Sequence, residues 1–83
     1  MQDGRSIEEL KDLGAGVPAP AEIAALYYQA FAEFGVQALW SRRPSAHPTI
    51  TQALVIADGL RNAGSMKSRP LAARIEAACR AAL

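Results

Sequence analysis

The sequence predicts an all-α fold: a small compact bundle of about four helices, the first one short, with no sheet. Three observations carry that expectation. Apolar side chains recur every three to four residues in four separate stretches, which is the period of a helix packed on one face. Capping residues, prolines and glycines punctuate the chain between those stretches. No segment alternates apolar and polar residues long enough to form a strand.

The first helix follows Ser6. Ser6 and Glu9 have the spacing of a capping box, in which the serine oxygen accepts from a backbone N–H three residues on. Ile7, Leu10 and Leu13 are read as its buried side, and Gly14 as the residue that ends it. A helix this short is marginal alone and must dock to persist. Residues 1–5 are expected to be disordered. Residues 14–20, "GAGVPAP", read as a linker, with Pro20 suited to the first turn of the next helix.

The second helix carries Ile23, Leu26, Tyr27, Ala30, Phe31 and Phe34 at helical spacing. "VQALW" then extends it by a turn, up to a loop bracketed by Pro44 and Pro48. Thr49 and Gln52 form a second capping box, so a third helix begins at about Ile50. Its "ALVIA" stretch is apolar on nearly every side, which places it centrally or gives it two partners. Gly64 is expected to end it. Ser68 or Arg69 is expected to cap the last helix, with Pro70 in its first turn. Leu71, Ile75, Ala78, Cys79 and Ala82 are its expected buried stripe, and Glu76 and Arg80 a favourable pair one turn apart.

Eighty-three residues make one small domain, 1–83. Of the 51% apolar residues, 18 are alanines, so the side chains able to build a core are few. Such a domain has modest stability, which a partner can raise. One cysteine excludes an internal disulfide, and neither a signal peptide nor a membrane-crossing run is apparent. The expectation is a cytoplasmic protein, and the alanine and arginine usage suggests a bacterial source with a GC-rich genome.

The net charge of +1 conceals a polarity. Residues 1–41 hold two cations against six anions, a net of −4. Residues 42–83 hold seven cations against two anions, a net of +5. Either the halves attract each other or the basic half meets an anion.

The segment "LWSRRPSAHPTI", residues 39–50, concentrates the only tryptophan, the only histidine and two adjacent arginines. Trp40 is expected to plug the end of the bundle. Arg42 and Arg43 are expected to project from the loop on the same side as Lys67 and Arg69, which lie around a helix start where an anion is favoured. These four cations are the candidate partner- or anion-binding residues.

A nucleophile–base pair of Cys79 and His47 is a weaker idea, because no orienting third group or oxyanion hole accompanies it. No metal site or cofactor is expected: one histidine and one cysteine fall short of a zinc ligand set. The connection at residues 64–70 has the form of a helix–turn–helix. The helix after it, "RPLAARIEAA", offers no Asn or Gln to read a base, so any nucleic-acid contact would be to phosphates.

Tyr28 and Val55 fall outside the stripes of their helices and are the candidate interface residues. The expected function is therefore non-enzymatic. The chain reads as a helical protein-interaction module, either self-associating or the neutralising or regulatory partner of another protein, as in a toxin–antitoxin pair. The alternative is a nucleic-acid-binding protein using the basic half. No membrane role is expected.

Overall fold

A computed structural model describes residues 4, 6–35, 45–62 and 66–83. These residues form four helices in chain order: α1 (Ile7–Gly14), α2 (Ala21–Phe34), α3 (Ile50–Asn62) and α4 (Ser68–Ala82). No strand occurs among the described residues; a single bridge joins Pro18 to Thr49. The expected disorder of residues 1–5 (Gly4 apart), the helical turn at "VQALW" and the helix stop at Gly64 lie outside the described residues.

Helix α3 is the hub, packing against each of the other three, while α2 also meets α4. Its composition explains this position. Ile50, Ala53, Leu54, Ile56, Ala57 and Leu60 are all buried, and at about 100° per residue they span nearly half the helix circumference. Leu26, Tyr27 and Ala30 of α2, with Leu71, Ile75 and Cys79 of α4, close the core around it. Phe31 and Phe34, expected inside, are only half-buried. Tyr27 takes the deep position instead and packs edge-on against Phe31, with ring centres 5.2 Å apart.

Both capping boxes act at helix starts. The Ser6 hydroxyl oxygen accepts from the Glu9 N–H at 3.2 Å. At α3 the exchange is reciprocal: Gln52 N–H donates to Thr49 Oγ1 at 3.2 Å, and Thr49 N–H donates to Gln52 Oε1 at 2.8 Å. The start of α4 departs from expectation. Neither Ser68 nor Arg69 caps it; Lys67 holds the capping position, and its side chain makes no capping hydrogen bond to the helix. Ser68 is buried, and its hydroxyl donates to the Leu60 carbonyl of α3 at 2.8 Å. That carbonyl belongs to the last turn of α3, where helix geometry provides no partner.

Helix α1 lies along α3. Leu10 is fully buried, Thr51 Oγ1 donates to the Lys11 carbonyl at 2.5 Å, and the Lys11 ammonium reaches Asp58 Oδ2 at 2.5 Å. This bond to Asp58 holds the Lys11 pKa above its ordinary value, against a smaller effect of desolvation. Leu13 is corrected from buried to exposed, at 53%. Six residues beyond Ile7 is about 240° around the helix, so the two do not share a face. The buried line runs instead through Leu10 to Gly14, whose backbone presses on Ile50.

The segment after α1 is tied down rather than loose. Ala19 N–H donates to the Pro48 carbonyl at 2.9 Å, and Ile50 N–H donates to the Val17 carbonyl at 3.0 Å. Gly16, with φ of 78°, makes the turn that leads into it.

Candidate protein-interaction surface

Of the four cations expected to form one patch, Lys67 and Arg69 are exposed at the beginning of α4. Arg42 and Arg43 lie outside the described residues, as does Trp40. Attraction between an acidic and a basic half is one of two readings of the charge polarity, and the ion pairs among the described residues do not follow that division. Lys11, from the acidic half, pairs with Asp58 of the basic half. Arg61 pairs with Glu76 inside the basic half, as a two-pronged contact of 2.7 and 2.6 Å between α3 and α4. Both Glu76 oxygens are thus engaged by Arg61, across the helix pair.

Tyr28 is 40% exposed, but its hydroxyl is occupied. It lies 2.5 Å from the Ser45 carbonyl oxygen and 3.0 Å from that of Ala46. The neighbouring Tyr27 hydroxyl accepts from the Ser45 N–H at 2.8 Å. The adjacent tyrosines, with rings edge to face at 5.2 Å, clamp the approach to α3. Val55 is half-buried on the far side of α3 from its core face. Neither residue adjoins the groove described below.

His47 is exposed, while Cys79 is fully buried in the core. Burial pushes the Cys79 thiol up to about 11, and the Glu76 carboxylate adds to the effect. The thiolate needed for nucleophilic attack is therefore scarce at neutral pH. No group of three or more His, Cys, Asp or Glu side chains among the described residues is placed to hold a metal ion. No helix there is long and apolar enough to cross a membrane.

Among the described residues a groove of about 550 Å³ lies between α2 and α4. Its α2 wall is Glu22, Ala25, Leu26 and Gln29; its α4 wall is Arg74, Ala77 and Ala78. A second recess of about 230 Å³ continues it past Ala81 and Ala82, towards Pro20 and Ile23. The beginning of α2 therefore lies beside the end of α4, and the two helices run antiparallel. Ala82, expected in the core, is exposed and lines this recess. Residues 74, 77, 78 and 81 follow helical spacing on a side of α4 adjoining the buried stripe.

Solvent-facing helix surface is ordinarily polar. Here Ala73, Ala77 and Ala81 repeat at four-residue intervals on the exposed side of α4. The repeat stands in the sequence, but alanine alone does not mark whether such a face is solvated or covered. Among the described residues, neither Glu22 nor Arg74 has an ion-pair partner. The groove thus carries one unpaired charge of each sign, with small apolar side chains between them.

In comparisons with protein-family models, curated proteins and solved structures, the chain finds no match.

Proposed function

We propose that this chain is a non-enzymatic protein-interaction module that docks through the α2–α4 face. The observation that carries the reading is the alanine-lined groove between those helices. Small side chains let another helix approach closely, to axis separations of ~8 Å. An alanine surface also loses little side-chain entropy when covered. The role fits a self-associating protein or the neutralising or regulatory partner of another protein.

Ala77 is exposed, so Ala77→Arg fills the groove without touching the core. Tagged wild-type and Ala77→Arg proteins are recovered from their host beside a differently tagged copy of the chain, with and without nuclease. Wild type should retain a protein partner or its own copy after nuclease, and Ala77→Arg should lose it at an unchanged melting temperature. Equal recovery by both proteins refutes docking at this face.

The second reading is phosphate contact with nucleic acid, favoured by the exposure of Lys67 and Arg69 at the start of α4. It gains if the captured material vanishes with nuclease and is insensitive to Ala77→Arg.

A further inference from the structure

We infer that the α2–α4 groove is a two-fold interface that a second copy of this chain occupies. The inference rests on the docking role proposed above and names the occupant of that surface.

The argument begins with the placement of charge along the groove. Glu22 stands near its α2-start end, where the wall opposite is Ala78, Ala81 and Ala82. Arg74 is a turn earlier in α4 than Ala78, towards the Gln29 end. The Gln29 side-chain amide is turned to Glu33 Oε2 at 2.8 Å, so it does not neutralise either groove charge through that bond. Among the lining residues the negative charge therefore stands at one end of the groove and the positive charge at the other. Seven residues separate Glu22 from Gln29, a rise of about 10 Å along α2.

Such a surface is complementary to itself. In a two-fold pair each residue meets its counterpart reciprocally. An axis through the alanine centre of the groove exchanges its ends, so Glu22 of each copy faces Arg74 of the other. Two ion pairs form, and the charges that line the groove are not set against their like. Parallel stacking would instead set Glu22 against Glu22. The centre offers only small side chains, which two identical faces can share without colliding.

The face suits a weak, transient contact. Helices of 14 and 15 residues lying side by side present a surface roughly 20 Å long and 20 Å wide. That is roughly 400 Å² per partner in projection, below the ~600 Å² per partner at which stable specific interfaces begin. Of the chain's 5176 Å² of accessible surface, this is a modest share. A dissociation constant in the micromolar range is expected, because small faces without a large aromatic anchor bind weakly.

Sedimentation equilibrium over a range of concentrations tests this with the full chain. Wild type should pass from monomer to dimer. Glu22→Arg and Arg74→Glu, each placing like charges together, should weaken the dimer at least about tenfold. The double variant exchanges the charges and should restore dimerisation to within roughly threefold of wild type, a coupling that independent sites do not give. Both residues are exposed, so circular dichroism should show the fold unchanged. A wild type that stays monomeric at the highest attainable concentration overturns the inference, as do single reversals without effect or a double variant as weak as the singles. If the chain is monomeric yet Ala77→Arg still abolishes capture of a different protein, only the second-copy occupant is lost and the docking face stands. If Ala77→Arg changes no capture either, the docking role falls too.

Discussion

Gly14→Ala sets two well-measured tendencies against each other. Replacing glycine by alanine within a helix ordinarily stabilises by about 1 kcal/mol. Gly14 is the last residue of α1 and has no positive φ, so alanine suits its backbone. Packing opposes the change. A Cβ built there lies 2.9 Å from Ile50 Cγ2, 3.0 Å from Ile50 Cβ and 3.1 Å from the Thr51 nitrogen. None of these atoms is the free end of a flexible side chain. Ile50 is buried, and its N–H is committed to the Val17 carbonyl. Separating α1 from α3 would also stretch the bond from Thr51 Oγ1 to the Lys11 carbonyl.

Overpacking of this kind costs ~1–3 kcal/mol. The helix-propensity gain is reduced at a terminal position, so packing wins and a net loss of about 1–2 kcal/mol is expected. In a domain of this size, that lowers the melting temperature by roughly 4–8 °C or more. Thermal and guanidinium denaturation followed by circular dichroism measures it, with an unchanged m-value confirming that the folded state is what changed. Gly16 supplies the contrast. Nothing lies within 4 Å of a Cβ there, but φ is 78°, so alanine is strained by the backbone alone. Asparagine, which tolerates that conformation, should recover part of the loss at position 16 and none at 14. If Gly14→Ala is as stable as wild type or more so, the close approach of α1 to α3 is wrong.

Two further substitutions test the core. Ser68→Ala removes the hydroxyl that satisfies the Leu60 carbonyl in a buried setting, and should cost ~1–3 kcal/mol in denaturant melts; no loss would mean that the carbonyl finds another partner. For Cys79, burial raises the thiol from 9.0 to about 11, so between those values the folded chain keeps a proton that the unfolded chain has released. Stability therefore falls with rising pH across that window, by up to about 2–3 kcal/mol. Lys11, also raised, loses its contribution as the pH climbs through its folded pKa, but does so equally in a Cys79→Ala protein. Wild type should thus lose more stability than Cys79→Ala between neutral pH and pH about 11, and parallel curves would contradict the buried placement of the thiol.

The helices were legible because their signals are local. Thr49 and Gln52 cap each other in chain neighbourhood, and α3 begins at Ile50 as that spacing requires. The all-round apolarity of "ALVIA" likewise announced a central helix. What failed depended on angles or on distant segments. Leu13 was grouped with Ile7 by counting hydrophobic residues, although six positions carry it most of the way around to solvent. Ser68 looked like a cap, but its partner is a carbonyl eight residues back on another helix. Tyr28 was rightly placed off the stripe, yet its hydroxyl is taken by backbone 17 and 18 residues away. The groove was least legible of all, since it exists only once α2 and α4 lie antiparallel. Alanine has no side-chain signature to separate a solvated face from a contact face.

The attachment of α1 also bears on the order in which the molecule assembles. The α3–α4 pair joins segments close in the chain, so its contacts form after closure of only a short loop. The contacts of α1 reach 40 residues along the chain at Thr51–Lys11 and 47 at Asp58–Lys11. Bringing such distant ends together costs ~3 kcal/mol of chain entropy when the intervening residues are unstructured. An eight-residue helix with one fully buried leucine regains little of that on its own. Its docking therefore becomes favourable late, after the other helices have folded and shortened the path. By the same balance α1 is the unit that opens first under native conditions. Its amides should exchange with solvent faster than those of α3, at an opening free energy below that of the whole domain.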